Sequence, residues 1–166
     1  MNRRTSAIAV FVLLCAVCLV HAFYYYPRLP DQVAYHFGAS GQPDAWGSKM
    51  HFLIIYLVTV AIMAATFLGA GLAIPRIPDS LINLPNKDYW LAPERRQKTL
   101  DYVLQQLLWL GTLTMLLLLD MFHQSFRVHL GEATTLDHLW VTMGVYLVLT
   151  GVWCVAFYRK FNNKES

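Results

Sequence analysis

Residues 51–74 read HFLIIYLVTVAIMAATFLGAGLAI and contain no Asp, Glu, Lys or Arg. About 20 helical residues cross the hydrocarbon core of a bilayer. A backbone surrounded by lipid must satisfy its own hydrogen bonds, so this stretch is predicted to be a helix even at the β-branched residues Val58, Thr59 and Val60. A soluble helix of this length needs a polar face, which these residues lack. The stretch therefore indicates an integral membrane protein.

Three further stretches have the same character, at residues 6–23, 103–122 and 139–157, and Asp120 is the one charged residue within them. The composition agrees, with 57% hydrophobic and 14% charged residues, whereas about one quarter of an ordinary globular chain is charged. We therefore predict an all-α fold: a single membrane domain of residues 1–166, built as a four-transmembrane-helix bundle.

The distribution of Lys and Arg predicts the orientation. The count is ten on one side of the four spans and three, Arg28, Lys49 and Arg127, on the other. The positive-inside rule then predicts both termini and the loop 75–102 in the cytoplasm, with the loops 24–50 and 123–138 outside. A cleaved secretory signal is the alternative interpretation of the N-terminal segment. The net charge is only +3, and the basic residues are scattered along the chain, which excludes a nucleic-acid-binding surface.

The predicted outer loop, residues 24–50, is too rich in turn-forming residues for a helix. The high density of prolines and glycines in this loop favours a turn-rich structure of fixed shape. We expect Phe37 and Trp46 to anchor it in the headgroup layer, and Asp44 and Lys49 are close enough in sequence to pair. The sequence therefore predicts a structured outer loop.

The predicted cytoplasmic loop, residues 75–102, mixes aromatic, polar and basic residues. Pro93 followed by Glu94 is typical of a helix start, since proline is favoured at the first helical position. Its arginines are interpreted as orientation determinants, with a binding site as the alternative. The candidate residues of this loop are Asn83, Pro85, Asn86, Tyr89, Trp90, Arg95 and Arg96.

Small residues recur every four positions in the second span, at Ala61, Ala65, Gly69 and Ala73. Such a stripe lets another helix approach closely. Packing within the chain's own bundle is the favoured interpretation, and a homo-oligomer is the alternative. Three cysteines, Cys15, Cys18 and Cys154, lie in apolar runs and are expected to act as small hydrophobic residues.

Two motifs resemble a known bacterial family. The first reads LPDQVAYHF at residues 29–37 and continues as GQPDAWGSK at 41–49; the second reads NLPNKDYWLAPERR at 83–96. Both are similar to membrane proteins that carry the domain of unknown function 1648, whose larger relatives include SdpI-type immunity and signalling proteins. The resemblance implies a bacterial plasma-membrane protein with an outer recognition loop. The residues assigned to ligand or partner recognition are His36, Phe37, Asp44, Trp46 and Lys49.

All six histidines fall on the predicted outer side, together with Asp120. Imidazoles and carboxylates are metal ligands. His21 and His51 are expected at the same depth, and Asp120 and His123 share a helix face. We expect no cofactor. The alternative is a zinc-like site made of His21, His51, Asp120 and His123.

Three functional hypotheses follow. The favoured one is a recognition, immunity or signalling-accessory module that contacts lipids and binds a peptide, a toxin or a neighbouring membrane protein. The second is a metal-dependent membrane enzyme or transport component, and the third is a structural subunit of a larger complex. No phosphate loop, nucleophile elbow or paired catalytic carboxylate occurs, so a non-enzymatic role is favoured and no catalytic residue is assigned.

Overall fold

The computed structural model describes residues 3–164, and the side chain of Arg3, one of the basic residues counted above, lies outside the described part. Within this part, four helices are long and apolar enough to cross a membrane. The prediction of four helices of spanning length is confirmed. They are α1 (Arg3–Tyr25), α2 (Lys49–Ala73), α4 (Pro93–His129) and α5 (Leu139–Asn162), with the short helix α3 (Lys87–Trp90) before α4.

Helix α4 extends well beyond the predicted span of 103–122. Pro93 occupies its first turn, as predicted. Thr99 donates a hydrogen bond from Oγ1 to the carbonyl of Trp90 (2.8 Å), and Phe126 is buried near the other end, so contacts with the rest of the chain cover both extensions. With 37 residues the helix is about 55 Å long, whereas the hydrocarbon core is about 30 Å thick.

The core lies between α1, α2 and α4. Phe11, Tyr56 and Phe126 come one from each of these helices and are at most 1% exposed. Gly111 of α4 lies so close to α2 that a Cβ atom there would be 2.6 Å from the Phe67 ring. Among the long helices, α5 packs mainly against α4, and no residue in its most apolar 18-residue stretch is buried within the chain. The predicted bundle is thus a three-helix core with a peripheral fourth helix.

The small-residue stripe of α2 does not pack within the chain's own bundle, so the favoured interpretation of it was wrong. Ala61, Ala65 and Ala73 are exposed, and a Cβ built on Gly69 would have no described atom within 4 Å apart from its chain neighbours and the nearby backbone of its own helix. The opposite face of the helix, with Phe52, Tyr56 and Val60, carries the buried residues. Spacing alone does not tell which face of an apolar helix meets protein, because lipid and protein interiors are both apolar.

The segment between α1 and α2 contains a β-hairpin, so the fold is not entirely α-helical. Strands β1 (Gln32–Phe37) and β2 (Pro43–Ser48) pair antiparallel, with Gln32 opposite Ser48 and a register irregularity around His36. Between them, Gly38 N–H donates to the Gln42 carbonyl (2.9 Å), and Gly41 adopts φ +76°. The expected fixed shape of this loop therefore comes from a strand ladder as well as from turns.

The molecule has two distinct ends. The hairpin end holds the hairpin and the segment 130–138, which are joined by a hydrogen bond from Leu136 N–H to the Gly41 carbonyl (2.9 Å). The loop end holds the segment 74–92, the start of α1 and the end of α5. There Arg4 pairs with Asp101 (2.7 Å), and Asn86 Nδ2 donates to the Phe161 carbonyl (3.1 Å). The start of α1 and the end of α5 therefore lie at the same end of the molecule.

Candidate functional site

The hairpin is held on the helices by buried side chains and by backbone bonds. Val33 and Ala34 of β1 are completely buried. At the base of the hairpin, Lys49 N–H donates to the Asp31 carbonyl (3.0 Å), and Trp140 Nε1–H of α5 donates to the Ala39 carbonyl at the tip (3.0 Å). The hairpin is therefore fixed at both ends, and its outward side chains have defined positions.

An imidazole–carboxylate pair occupies the outward face of the hairpin. His36 Nδ1 lies 2.5 Å from Asp44 Oδ1, and the two side chains are 66% and 50% exposed. Lys49 pairs with Asp31 (2.9 Å), so the suggested Asp44–Lys49 pair is replaced by two other pairs. The reason is the strand register, which places β1 and β2 side by side and leaves Lys49 at the base.

Aromatic side chains lie on the same hairpin. Trp46 is 56% exposed on β2, and the Tyr35 ring stacks on His51 with centroids 5.1 Å apart and the planes nearly parallel at 2°. The Phe37 ring centroid lies 6.1 Å from that of His129. The hairpin thus carries both an imidazole–carboxylate pair and aromatic rings.

A cleft of about 270 Å³ lies between the hairpin and the helices. Its walls come from β1, α2, α4, the segment 130–138 and the start of α5, and apolar side chains predominate. It is lined by Tyr35, His36, Phe37, Phe52, Ile55, Leu118, Met121, Phe122, Ser125, Leu136 and Leu139. Sequence reasoning found His36 and Phe37 but missed the helical residues, whose spacing is that of any apolar helix.

Deeper in the hairpin end, two of the four predicted metal ligands meet. His21 Nε2 lies 3.3 Å from His123 Nδ1, and His21 Nδ1 lies 3.1 Å from the hydroxyl of Tyr56. Tyr25 and Phe126 stack beside them, with centroids 4.8 Å apart. The arrangement is a hydrogen-bonded chain of two imidazoles and one phenol inside an aromatic cage.

The other two predicted ligands have different partners. His51 stacks on Tyr35, and its expected meeting with His21 does not occur. Asp120 Oδ2 accepts hydrogen bonds from Gln124 Nε2 (2.6 Å) and Thr142 Oγ1 (2.9 Å), which ties α5 to α4. In the described part of the chain, no group of three or more His, Cys, Asp or Glu side chains is arranged to hold a metal ion.

The candidate residues of the loop 75–102 lie at the loop end and mainly connect elements. Arg96 Nε donates to Asp79 Oδ1 (2.8 Å), and Asn86 joins α3 to the end of α5. Trp90 Nε1–H donates to the Phe161 carbonyl (2.8 Å), while Arg95 donates to the Tyr89 carbonyl (3.1 Å). Asn83 is exposed and Pro85 is half-buried.

The family comparison covers the second half of α1 and the hairpin. Residues 13–60 match the family model described as a domain of unknown function (DUF1648). This match includes β1, β2 and the first turns of α2, but it ends before the loop end. Neither the curated proteins nor the solved structures give a match to the chain.

Proposed function

We propose that the protein is a membrane-embedded recognition module whose hairpin end binds a peptide or small protein partner. In this proposal the protein is a multi-pass protein of the bacterial plasma membrane, the termini are cytoplasmic and the hairpin faces outward. The excess of basic residues at the loop end supports this orientation.

One observation carries the proposal: the anchored hairpin presents an exposed imidazole–carboxylate pair beside an apolar cleft. His36 lines the cleft and contacts Asp44, so polar and apolar recognition share one residue. A peptide suits this combination, since an apolar side chain fills the cleft while backbone groups bond to the imidazole and the carboxylate. Exposed Trp46 adds an aromatic contact of the kind enriched at binding hot spots.

The family match supports the same part of the chain. Residues 13–60 include the hairpin and its anchor on α2. The proposed relation to SdpI-type proteins depends on the hairpin motif and on the motif at residues 83–96. We extend the proposal to an immunity or signalling-accessory role, in which capture of a toxin or signal peptide at the hairpin is the relevant event.

Site-specific photo-crosslinking in the native host tests the proposal. A benzophenone side chain at Trp46 is expected to give a discrete adduct that disappears when His36→Ala and Asp44→Ala are added. Matched probes at Val20 and Leu81, which are 70% and 75% exposed outside the hairpin, control for lipid and bystander contacts. Identical adduct patterns at all three positions, or an adduct indifferent to His36 and Asp44, would contradict the proposal.

The second candidate, a metal-dependent enzyme or transport component, is favoured by the His21–His123 pair. Elemental analysis of the purified protein tests it. Stoichiometric zinc that is lost in the His123→Ala variant would support a metal centre, and a zinc-free protein from zinc-supplemented cells would exclude it.

A further inference from the structure

A second cleft, of about 380 Å³, opens at the loop end where α3, α4 and the end of α5 meet. Its lining combines four aromatic residues with three cations, Arg95, Lys98 and Lys160, and it includes no carboxylate. We propose that this cleft binds the phosphate headgroup of an anionic membrane phospholipid. We refer to it as the basic cleft.

The aromatic floor of the basic cleft is fixed. Trp90 is 8% exposed, its Nε1–H donates to the Phe161 carbonyl, and its own carbonyl accepts from Thr99 Oγ1. The Phe161 ring packs edge-on against Trp90 with centroids 5.4 Å apart. A rigid floor of this kind holds the cleft open without ligand, which lowers the entropic cost of binding.

The cations are positioned over this floor. The Arg95 guanidinium carbon lies 4.1 Å from the Tyr89 ring centroid, and Lys160 Nζ lies 5.1 Å from that of Trp90. Lys98 is exposed and lines the same cleft. Three positive charges therefore converge on one space.

The charge of the lining has one sign. Arg95, Lys98 and Lys160 line the basic cleft, and no Asp or Glu is among its described lining residues. Arg95 also pairs with Glu94 at 3.2 Å, and Glu94 is not part of the lining. The lining therefore presents cationic groups to an external anion.

The location favours a lipid as the source of the anion. The cleft lies where α4 and α5 reach the end of the membrane-spanning region, and aromatic and basic residues mark the headgroup layer there. Basic pockets between helices bind acidic headgroups. The apolar parts of Trp90, Tyr102 and Phe161 suit the first carbons of the acyl chains.

Native mass spectrometry of the full chain tests the proposal. The protein is released from nanodiscs of phosphatidylcholine and phosphatidylglycerol, and the retained phosphatidylglycerol is counted. The triple variant Arg95→Gln/Lys98→Gln/Lys160→Gln is expected to retain at least about tenfold less, since it removes all three cations that line the cleft. The variant Arg76→Gln/Arg159→Gln/Lys164→Gln removes the same charge from exposed positions of the same end and is expected to match wild type.

Two further arms keep the result decisive. Lys98→Gln alone removes one exposed charge without touching the floor, so it tests the cleft even if the triple variant fails to fold; we expect about a fivefold loss. Excess inorganic phosphate is expected to leave the lipid bound. Equal retention by both triple variants would overturn the proposed site, and displacement by phosphate would overturn the assignment to a lipid.

Discussion

Tyr56 is completely buried, yet its side chain ends in a hydroxyl group, which therefore needs a partner. His21 Nδ1 supplies one at 3.1 Å, and the other nitrogen of the same ring faces His123. Each imidazole in such a chain has one donor and one acceptor nitrogen when neutral, and the phenol hydroxyl can pair with either kind. The hydroxyl of Tyr56 thereby joins α2 to the histidines of α1 and α4.

Replacing Tyr56 by Phe is expected to lower the free energy of unfolding by about 1–3 kcal/mol, because His21 loses a buried partner. Tyr146→Phe is the matched control. Its hydroxyl bonds to Thr114 Oγ1 (3.1 Å), which still donates to the Leu110 carbonyl after the change. Denaturation of both variants in one detergent measures the difference, and equal losses would contradict the assigned role of Tyr56.

At the scale of elements, the hairpin is the part whose position depends on backbone geometry. Gly41 has φ +76°, and a Cβ there would lie 3.1 Å from the Leu136 carbonyl oxygen. Gly131 has φ +73°, but its Cβ would meet no atom within 4 Å. The two glycines therefore separate backbone strain from the contact between the hairpin and the segment 130–138.

Gly131→Ala is expected to cost about 1–2 kcal/mol, the penalty for a left-handed residue with a side chain. Gly41→Ala is expected to cost more, because it also displaces Leu136 from its bond to the Gly41 carbonyl. Amide exchange in the hairpin is the direct measurement. It should rise in Gly41→Ala and stay unchanged in Gly131→Ala; the reverse pattern would show that the hairpin is held without this contact.

The contact between α2 and α4 is equally specific. A Cβ at Gly111 would lie 2.6–2.8 Å from three atoms of the Phe67 ring, whereas one at Gly144 of α5 would meet nothing within 4 Å. We expect Gly111→Ala to lower the melting temperature of the detergent-solubilised protein and Gly144→Ala to leave it unchanged or raise it, since alanine favours helix. A Gly111→Ala protein as stable as wild type would mean that α2 and α4 separate easily.

At the scale of the whole molecule, we expect the hairpin end and the loop end to be labelled from opposite sides of the membrane. Trp46 and Leu81 are 56% and 75% exposed at the hairpin end and the loop end. In a background in which the three native cysteines are replaced by alanine, Trp46→Cys is expected to react with a membrane-impermeant maleimide on intact cells, and Leu81→Cys only after permeabilisation. Labelling of both from the same side would contradict the membrane-spanning arrangement, and an exchanged pattern would reverse the proposed orientation.

Sequence reasoning located the long helices because an apolar run leaves the backbone one way to satisfy its hydrogen bonds. It underestimated α4, since the polar residues at its ends are held in the helix by contacts such as Thr99 with Trp90. The pairing of β1 with β2 was not visible either, because Pro43 and Gly47 interrupt the strand pattern of β2. Without that register, the neighbour of Asp44 could not be identified as His36.

The meeting of His21 with His123 was anticipated in part, because their spans place them at similar depth. Because His21 and His123 are 102 positions apart in the sequence, the distance between their side chains could not be predicted. That His51 and Asp120 do not join this pair was likewise visible only in the fold. The peripheral position of α5 could not be predicted for a related reason, because an apolar surface packs equally well against lipid and against protein.

Helix α4 has a consequence for how the protein fits bilayers of different thickness. It is one uninterrupted helix of 37 residues, tied at one end by Arg96 to Asp79 and near the other by Gln124, whose side-chain oxygen accepts from His138 N–H. A hydrophobic mismatch is met by tilt or by local deformation of the bilayer, because a helix does not shorten. Since both ends of α4 carry the neighbouring elements with them, a thinner membrane tilts the hairpin and the basic cleft together, as parts of one body.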